Sequence, residues 1–163
     1  RNFDLKDANL REAILIGADL ERAELNRADL SGAILTDAIL RRATLLDADL
    51  SNANLAGANL TGAGFTKADL SDANLTGANL SDAFLISARL SGANFTLADF
   101  RFADLTDADL NQAILRFADM SDADLENATL SGAAIGGAIW NDTICPDGTN
   151  SDSHIKGCED HLR

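Results

Sequence analysis

The sequence predicts a solenoid, a chain that turns a corner at a short fixed interval and stacks on itself, and two observations carry that expectation. Alanine occupies every fifth position from Ala8 to Ala138, and two residues after each comes a large apolar side chain. Those central residues are Leu at 22 of the 28 multiples of five from Leu5 to Trp140, the others being Phe65, Phe95, Phe100, Met120, Ile135 and Trp140. A beat of five matches neither the period of about 3.6 of a helix nor the period of about 2 of a flat strand. So regular a pairing of small and large requires walls that point inward at each repeat, Ala leaving room where the chain bends and the central residue filling the axis.

The pattern, A(D/N)Lxx, is nearly ideal in segments such as Ala53-Asn54-Leu55-Ala56-Gly57 and Ala68-Asp69-Leu70-Ser71-Asp72. It resembles the pentapeptide-repeat family over residues 3–142. The resemblance implies an all-β solenoid, a right-handed quadrilateral β-helix in residues 1–142 with four pentapeptides per coil. Ala and the central residue would face inward, the other three outward, and residues twenty apart would stack. About seven coils at the usual strand spacing of about 4.8 Å make a rod about 34 Å long. Each coil touches only its neighbours.

Stacking by twenty sorts the outward residues onto four walls. The wall centred on Leu5 through Leu125 carries eight acids and three bases; the next, Leu10 through Leu130, six and two; the fourth, Leu20 through Trp140, seven and four. The third, Leu15 through Ile135, has only Asp37 and Arg116. Their net charges are −5, −4, 0 and −3, the third in order being blank in a chain of net −13. Within the acidic walls Arg89 interrupts the column Asp29, Asp49, Asp69, Asp109, and Asp7, Arg27, Asp47, Lys67 alternate in sign. Both patterns read as relief of like-charge ladders. The Asn54, Asn74, Asn94 and Ser31, Ser51, Ser71, Ser91 columns read as hydrogen-bonded side-chain ladders.

On the blank wall the outward positions include Ile14, Ile16, Ile34, Leu97, Ile114 and Phe117, and Phe102 follows around the next corner. Leu97, Phe102, Ile114, Arg116 and Phe117, with Arg101 beside them, form a candidate interaction patch, apolar and rimmed by bases as protein interfaces are. Scattered exposed apolar residues are also ordinary, and the competing reading is mutual shielding on a stiff surface.

At the start, Phe3 stands where Ala is expected and would lay one ring over the first coil; otherwise that end is an unpaired edge open to end-to-end association. Residues 143–163 leave the pattern with Pro146, Asp147, Gly148, Asn150 and Ser151, which is turn chemistry. Both cysteines, Cys145 and Cys158, and both histidines, His154 and His161, lie here. A disulfide between Cys145 and Cys158 is expected. It would pin a short helix, from Ser153 or Gly157 onward, as a cap over the last coil, where Ile135 and Trp140 add bulk. Free thiols, or zinc held by Cys145, His154, Cys158 and His161, are the alternatives; Gly157 within that segment and the lack of a close Cys-x-x-Cys pair oppose zinc. A disulfide calls for an oxidising compartment, a periplasm or thylakoid lumen, and the chain looks similar to lumenal pentapeptide-repeat proteins of cyanobacteria and plastids that carry a Cys-containing cap.

These features favour a non-catalytic interaction module with an unidentified protein partner, monomeric or weakly end-associating. A filled rod offers no cleft, the repeats hold no histidine, no nucleophile sits beside a base, and no cofactor or metal is expected. No apolar run is long enough to span a membrane. Acids outnumber bases 26 to 13, which disfavours direct binding of nucleic acid. Some family members imitate duplex DNA and bind type II topoisomerases, and that is the alternative function. Duplex DNA, however, spreads roughly 20 charges evenly over such a length, whereas the repeats here have a net −12 and one neutral side.

Overall fold

The computed structural model describes residues 3–151 and Cys158. Parallel bridges join residues twenty apart in an unbroken series from Asp4 and Glu24 to Asp124 and Ile144. Four pentapeptides therefore complete one coil. The walls are numbered by their first central residue: wall 1 from Leu5, wall 2 from Leu10, wall 3 from Leu15 and wall 4 from Leu20.

The backbone accounting explains the motif. At each corner the N–H that opens the next pentapeptide donates to the preceding central carbonyl, from Ala8 to Leu5 at 3.1 Å through Ala138 to Ile135 at 3.0 Å. The third residue of that turn has positive φ at every corner from Asp7 to Asp142, the position that suits Gly, Asn and Asp. Its own N–H reaches the adjoining coil, as from Asp7 to the Asn26 carbonyl at 3.0 Å. One corner N–H is left over, on the residue after the central one. The Asp or Asn preceding the central residue accepts it: Asp69 from Ser71 at 2.9 Å, Asn79 from Ser81 at 2.9 Å, Asp119 from Ser121 at 3.0 Å. A Ser or Thr hydroxyl there donates to the same oxygen, as Thr106 does to Asp104 at 2.6 Å. The carboxylates and amides of the motif thus complete the turns.

That accounting changes the reading of the polar columns. Asn74 does donate to Asn54 at 3.2 Å, but each of Asn54, Asn74 and Asn94 also accepts its corner N–H. The Ser column is no Ser-to-Ser ladder: Ser31 donates to Asp29 at 2.6 Å and Ser91 to Asp109 at 2.8 Å. A hydroxyl at the corner lies nearer the carboxylates than the next hydroxyl along the column.

Central residues from Leu25 to Leu125 and the alanines between them form one buried column. Phe95 and Phe100 meet edge to face within it, ring centroids 5.0 Å apart. In the first coil Phe3 is 42% exposed, and Leu5, Leu10 and Leu15 are only partly buried. The cover expected of Phe3 is therefore incomplete, since one ring spans only part of a coil four pentapeptides round.

The other end closes differently. The beat continues past 142, with Thr143 and Cys145 buried at the next inward positions. The corner at 140–143 lacks the usual turn bond. Instead the Ser151 hydroxyl donates to the Trp140 carbonyl and accepts the Thr143 N–H at 2.9 Å. Ser151 N–H donates to Thr143 O at 2.8 Å and Cys145 N–H to Thr149 O at 2.7 Å, so 149–151 runs antiparallel on 143–145, with Asn150 bridged to Ile144. An antiparallel segment ends the parallel series and covers that stretch of edge. Trp140 is buried, Ile135 only half-buried. The expected helix from Ser153 or Gly157 onward lies outside the described residues. The described residues include almost no helix, with 3-10 conformation at Ser151 and Cys158.

Candidate docking surface

The corner between walls 3 and 4 is built mostly of residues with little side chain. Reading up the column, its third-position residues are Gly17, Asp37, Gly57, Gly77, Leu97, Phe117 and Gly137. Leu97 is 63% exposed and Phe117 61%. Arg116 lies beside Phe117 and is exposed, and Ile114 is half-buried on wall 3, bridged to Asn94 and Ala134. Phe102, 59% exposed, sits on the next corner, between walls 4 and 1. Asp99 and Arg101 lie on the wall between Leu97 and Phe102. The structure therefore gathers Leu97, Ile114, Arg116 and Phe117 and sets Phe102 apart from them by the width of one wall.

Side chains at these corners lean toward the carboxyl-terminal end. A Cβ added to Gly137 would meet the Phe117 ring at 2.5 Å, one on Gly32 would touch Glu12 at 3.4 Å and one on Gly62 would touch Arg42 at 3.5 Å. One edge of the Phe117 ring thus lies over Gly137, and Ala134, Gly136 and the exposed Ile139 belong to the coil above it. This extension was missed in the sequence, although columns of twenty place Gly137 above Phe117 and Ile139 above Asp119.

The local chemistry of this surface runs against the rest of the rod. Twenty non-glycine residues hold positive φ at corners; ten are Asp or Asn and seven more are polar. The remaining three are Leu97, Phe102 and Phe117, with φ of 61°, 61° and 58°. Left-handed conformation costs an ordinary side chain about 1 kcal/mol or more and is least suited to bulky ones. Ile114 adds a further cost, because it offers no oxygen to the Arg116 N–H that an Asp or Asn would accept.

Several charges on the acidic walls are paired. Arg101 pairs with Asp99 at 2.6 Å and lies 3.9 Å from Asp119; Arg89 pairs with Asp69 at 3.2 Å; Arg27 grips Asp7 through two bonds of 2.7 and 2.8 Å; Lys6 pairs with Glu24. The Arg101 guanidinium holds the Asp99 carboxyl below its ordinary value, and Arg27 does the same for Asp7. The Ser31 hydroxyl and N–H lower Asp29. At Asp109 burial pushes upward, but the Asn111 N–H and the Ser91 and Thr129 hydroxyls bring the net below the ordinary value.

Cys145 and Cys158 are joined by a disulfide, both sulfurs buried. The bond consumes the two thiolates that a zinc site would need; His154 and His161 lie outside the described residues. Among the described residues no group of three His, Cys, Asp or Glu is placed to hold a metal ion, and no helix is long and apolar enough to cross a membrane.

A square spiral of alanine-spaced corners with a filled core defines a class of protein, and comparison with known proteins identifies it. The chain belongs to the pentapeptide-repeat family, whose model, described as pentapeptide repeats in eight copies, matches residues 4–42, 43–82, 73–112 and 93–132. Membership carries the right-handed quadrilateral β-helix with it. Among solved structures, the pentapeptide repeat protein Rfr23 of the cyanobacterium Cyanothece 51142 is 36% identical with a TM-score of 0.56, covering 57% of this chain and 64% of that one. This chain thus spans less than two thirds of Rfr23. QnrB1, a plasmid-mediated fluoroquinolone resistance protein, is 20% identical with a TM-score of 0.61, covering 88% of this chain and 74% of that one, a likeness of fold alone. A pentapeptide repeat protein of the Arabidopsis thaliana thylakoid lumen is 28% identical with a TM-score of 0.32, covering 85% and 86%. No curated protein matches the sequence.

Proposed function

We propose that the protein is a non-catalytic interaction module that docks a protein partner through the neutral wall 3 and its corner with wall 4, using Leu97, Ile114, Arg116 and Phe117, with Phe102 as an outlying contact. One observation carries the reading. Two of the three apolar side chains at odds with their backbone conformation, Leu97 and Phe117, are exposed together at the edge of the wall that carries no net charge. The pentapeptide frame supports it by acting as a rigid platform, with Phe95 and Phe100 packed directly behind the corner that carries Leu97. The disulfide suits an oxidising compartment, so the proposed setting is a periplasm or thylakoid lumen. Association is monomeric or weakly end to end.

The test is co-purification from the native source with the wild-type chain and with Leu97→Asn/Phe117→Asn, read by mass spectrometry. A partner captured by the first and lost by the second supports docking at this corner; a partner retained equally by both removes it. DNA mimicry is the competing reading, suggested by a net charge of −13 on a rod. The Asp residues that complete corners account for much of that charge without a nucleic-acid-like role. A gyrase supercoiling assay separates the two, inhibition or protection favouring the mimic and no effect favouring docking.

A further inference from the structure

Around the exposed corner the charges are unequal. On wall 4 and its far corner, from the coil before that of Leu97 to the coil of Phe117, stand Asp82, Asp99, Asp119 and Asp122 against Arg101; Arg116 is the one charge on wall 3 in that stretch. Arg101 already pairs with Asp99, which leaves the flank strongly negative. Apolar residues line both edges of this flank, Leu97 and Phe117 on one corner and Phe102 on the other. Wall 4 between them is one short strand wide, about 10 Å. A segment of protein lying across it meets apolar, acidic and apolar surface in turn.

We propose that the occupant is a basic amphipathic segment of a partner protein, with apolar side chains seated on Leu97, Ile114 and Phe117 at one corner and on Phe102 at the other, and Lys or Arg directed at Asp82, Asp119 and Asp122. This rests on the docking reading above and specifies its chemistry. A second copy of the chain is disfavoured as occupant, because each copy has a net charge of −13 and would bring acidic flank against acidic flank. An acidic segment meets the same repulsion.

Three synthetic probes test the chemistry by fluorescence anisotropy: an amphipathic Leu/Lys peptide, its Leu/Glu counterpart, and a Lys peptide with no apolar residue. The Leu/Lys peptide is expected to bind at least about tenfold more tightly than the Lys peptide, and to lose about tenfold in affinity on Leu97→Asn/Phe117→Asn, which leaves net charge unchanged. Asp82→Lys/Asp122→Lys should weaken the Leu/Lys peptide by a similar factor; both sites are corners of the kind where Lys67 and Arg42 already hold positive φ. The proposal is overturned if Leu97→Asn/Phe117→Asn binds the Leu/Lys peptide as the wild type does, since binding would then be charge alone. It is equally overturned if the Leu/Glu peptide binds in a manner dependent on Leu97 and Phe117, an outcome that would leave docking at this corner standing and only its partner chemistry wrong.

Discussion

A single pentapeptide assigns each residue one task. The central side chain fills the axis, and Leu75, fully buried, is a clear case. Leu75→Ala should cost about 2–5 kcal/mol, because neighbouring coils held by backbone bonds cannot collapse into the void; chemical denaturation measures it. The preceding Asp or Asn completes the corner. Asn74→Ala removes acceptors from the Thr76 N–H and hydroxyl at 3.1 and 2.7 Å and should cost about 1 kcal/mol. The third corner residue must tolerate left-handed backbone. Gly77→Ala meets open space but has a φ of 66°, a penalty of about 1 kcal/mol. Gly132→Ala should cost more, since the added methyl displaces the Gln112 amide and with it the bond to Ser131 O at 3.2 Å. By the same reasoning Leu97→Asn and Phe117→Asn leave the melting temperature unchanged or raised, setting these two apart from every core position.

Asp and Asn before the central residue were visible in the sequence as a motif, but their role was not. The reading by columns looked for partners twenty residues away, while the bond that matters lies two residues away and depends on the corner N–H pointing outward, which spacing does not reveal. Phe102, by contrast, was already placed around the next corner by the columns, and the structure puts one wall between it and Leu97.

At the scale of elements, the last corner is the informative one. Ser151 takes the place of a turn bond made at the corners before it, so Ser151→Ala should unfasten the 149–151 segment. The expected result is faster hydrogen exchange at Thr143 and Cys145 with the coils near Leu55 unaffected, as contacts reach only adjoining coils. Reduction of the Cys145–Cys158 disulfide should act on the same end. Closing a loop of 13 residues separation is worth about 3 kcal/mol in the chain-entropy account, so loss of the bond should lower the denaturation midpoint measurably. The arrangement had one sequence signal: 145 is a multiple of five, and Cys145 occupies the inward position of the next repeat. The antiparallel return had none, since Pro146, Asp147 and Gly148 specify a turn but not which edge the returning strand meets.

Across the whole molecule, charge and register decide behaviour. The carboxyls of Asp7, Asp29, Asp99 and Asp109 are all held below their ordinary values in the folded chain. Groups lowered by folding stabilise it above the unfolded value, and that contribution is lost as pH falls through the folded value. The melting temperature should therefore fall on acidification below about pH 4. Arg101→Met should flatten that fall, because the Arg101 bond is the leading cause of the Asp99 shift. Register makes a sharper demand. Deleting residues 103–107, one pentapeptide, keeps the small-large beat and should leave a folded β-rich rod by circular dichroism. It also turns every later residue by one wall, moving Phe117 off the corner it shares with Leu97. Binding of the Leu/Lys peptide should drop although the fold survives, whereas deleting the whole coil 103–122 removes Phe117 and restores the register of all that follows.

What the sequence by itself determined was the beat of five, in which a small and a large apolar residue must both face inward; the stacking by twenty that the family resemblance implies then sorts charge onto three walls and leaves the other neutral. The beat is a consequence of side-chain size and chain geometry repeated 28 times. What only the tertiary structure decided was direction: which N–H points outward at a corner, which way Phe117 leans to lie on Gly137, and how Ser151 returns to close the last turn. Each depends on backbone dihedrals and on atoms brought together by the winding itself, and neither composition nor spacing encodes them one residue at a time.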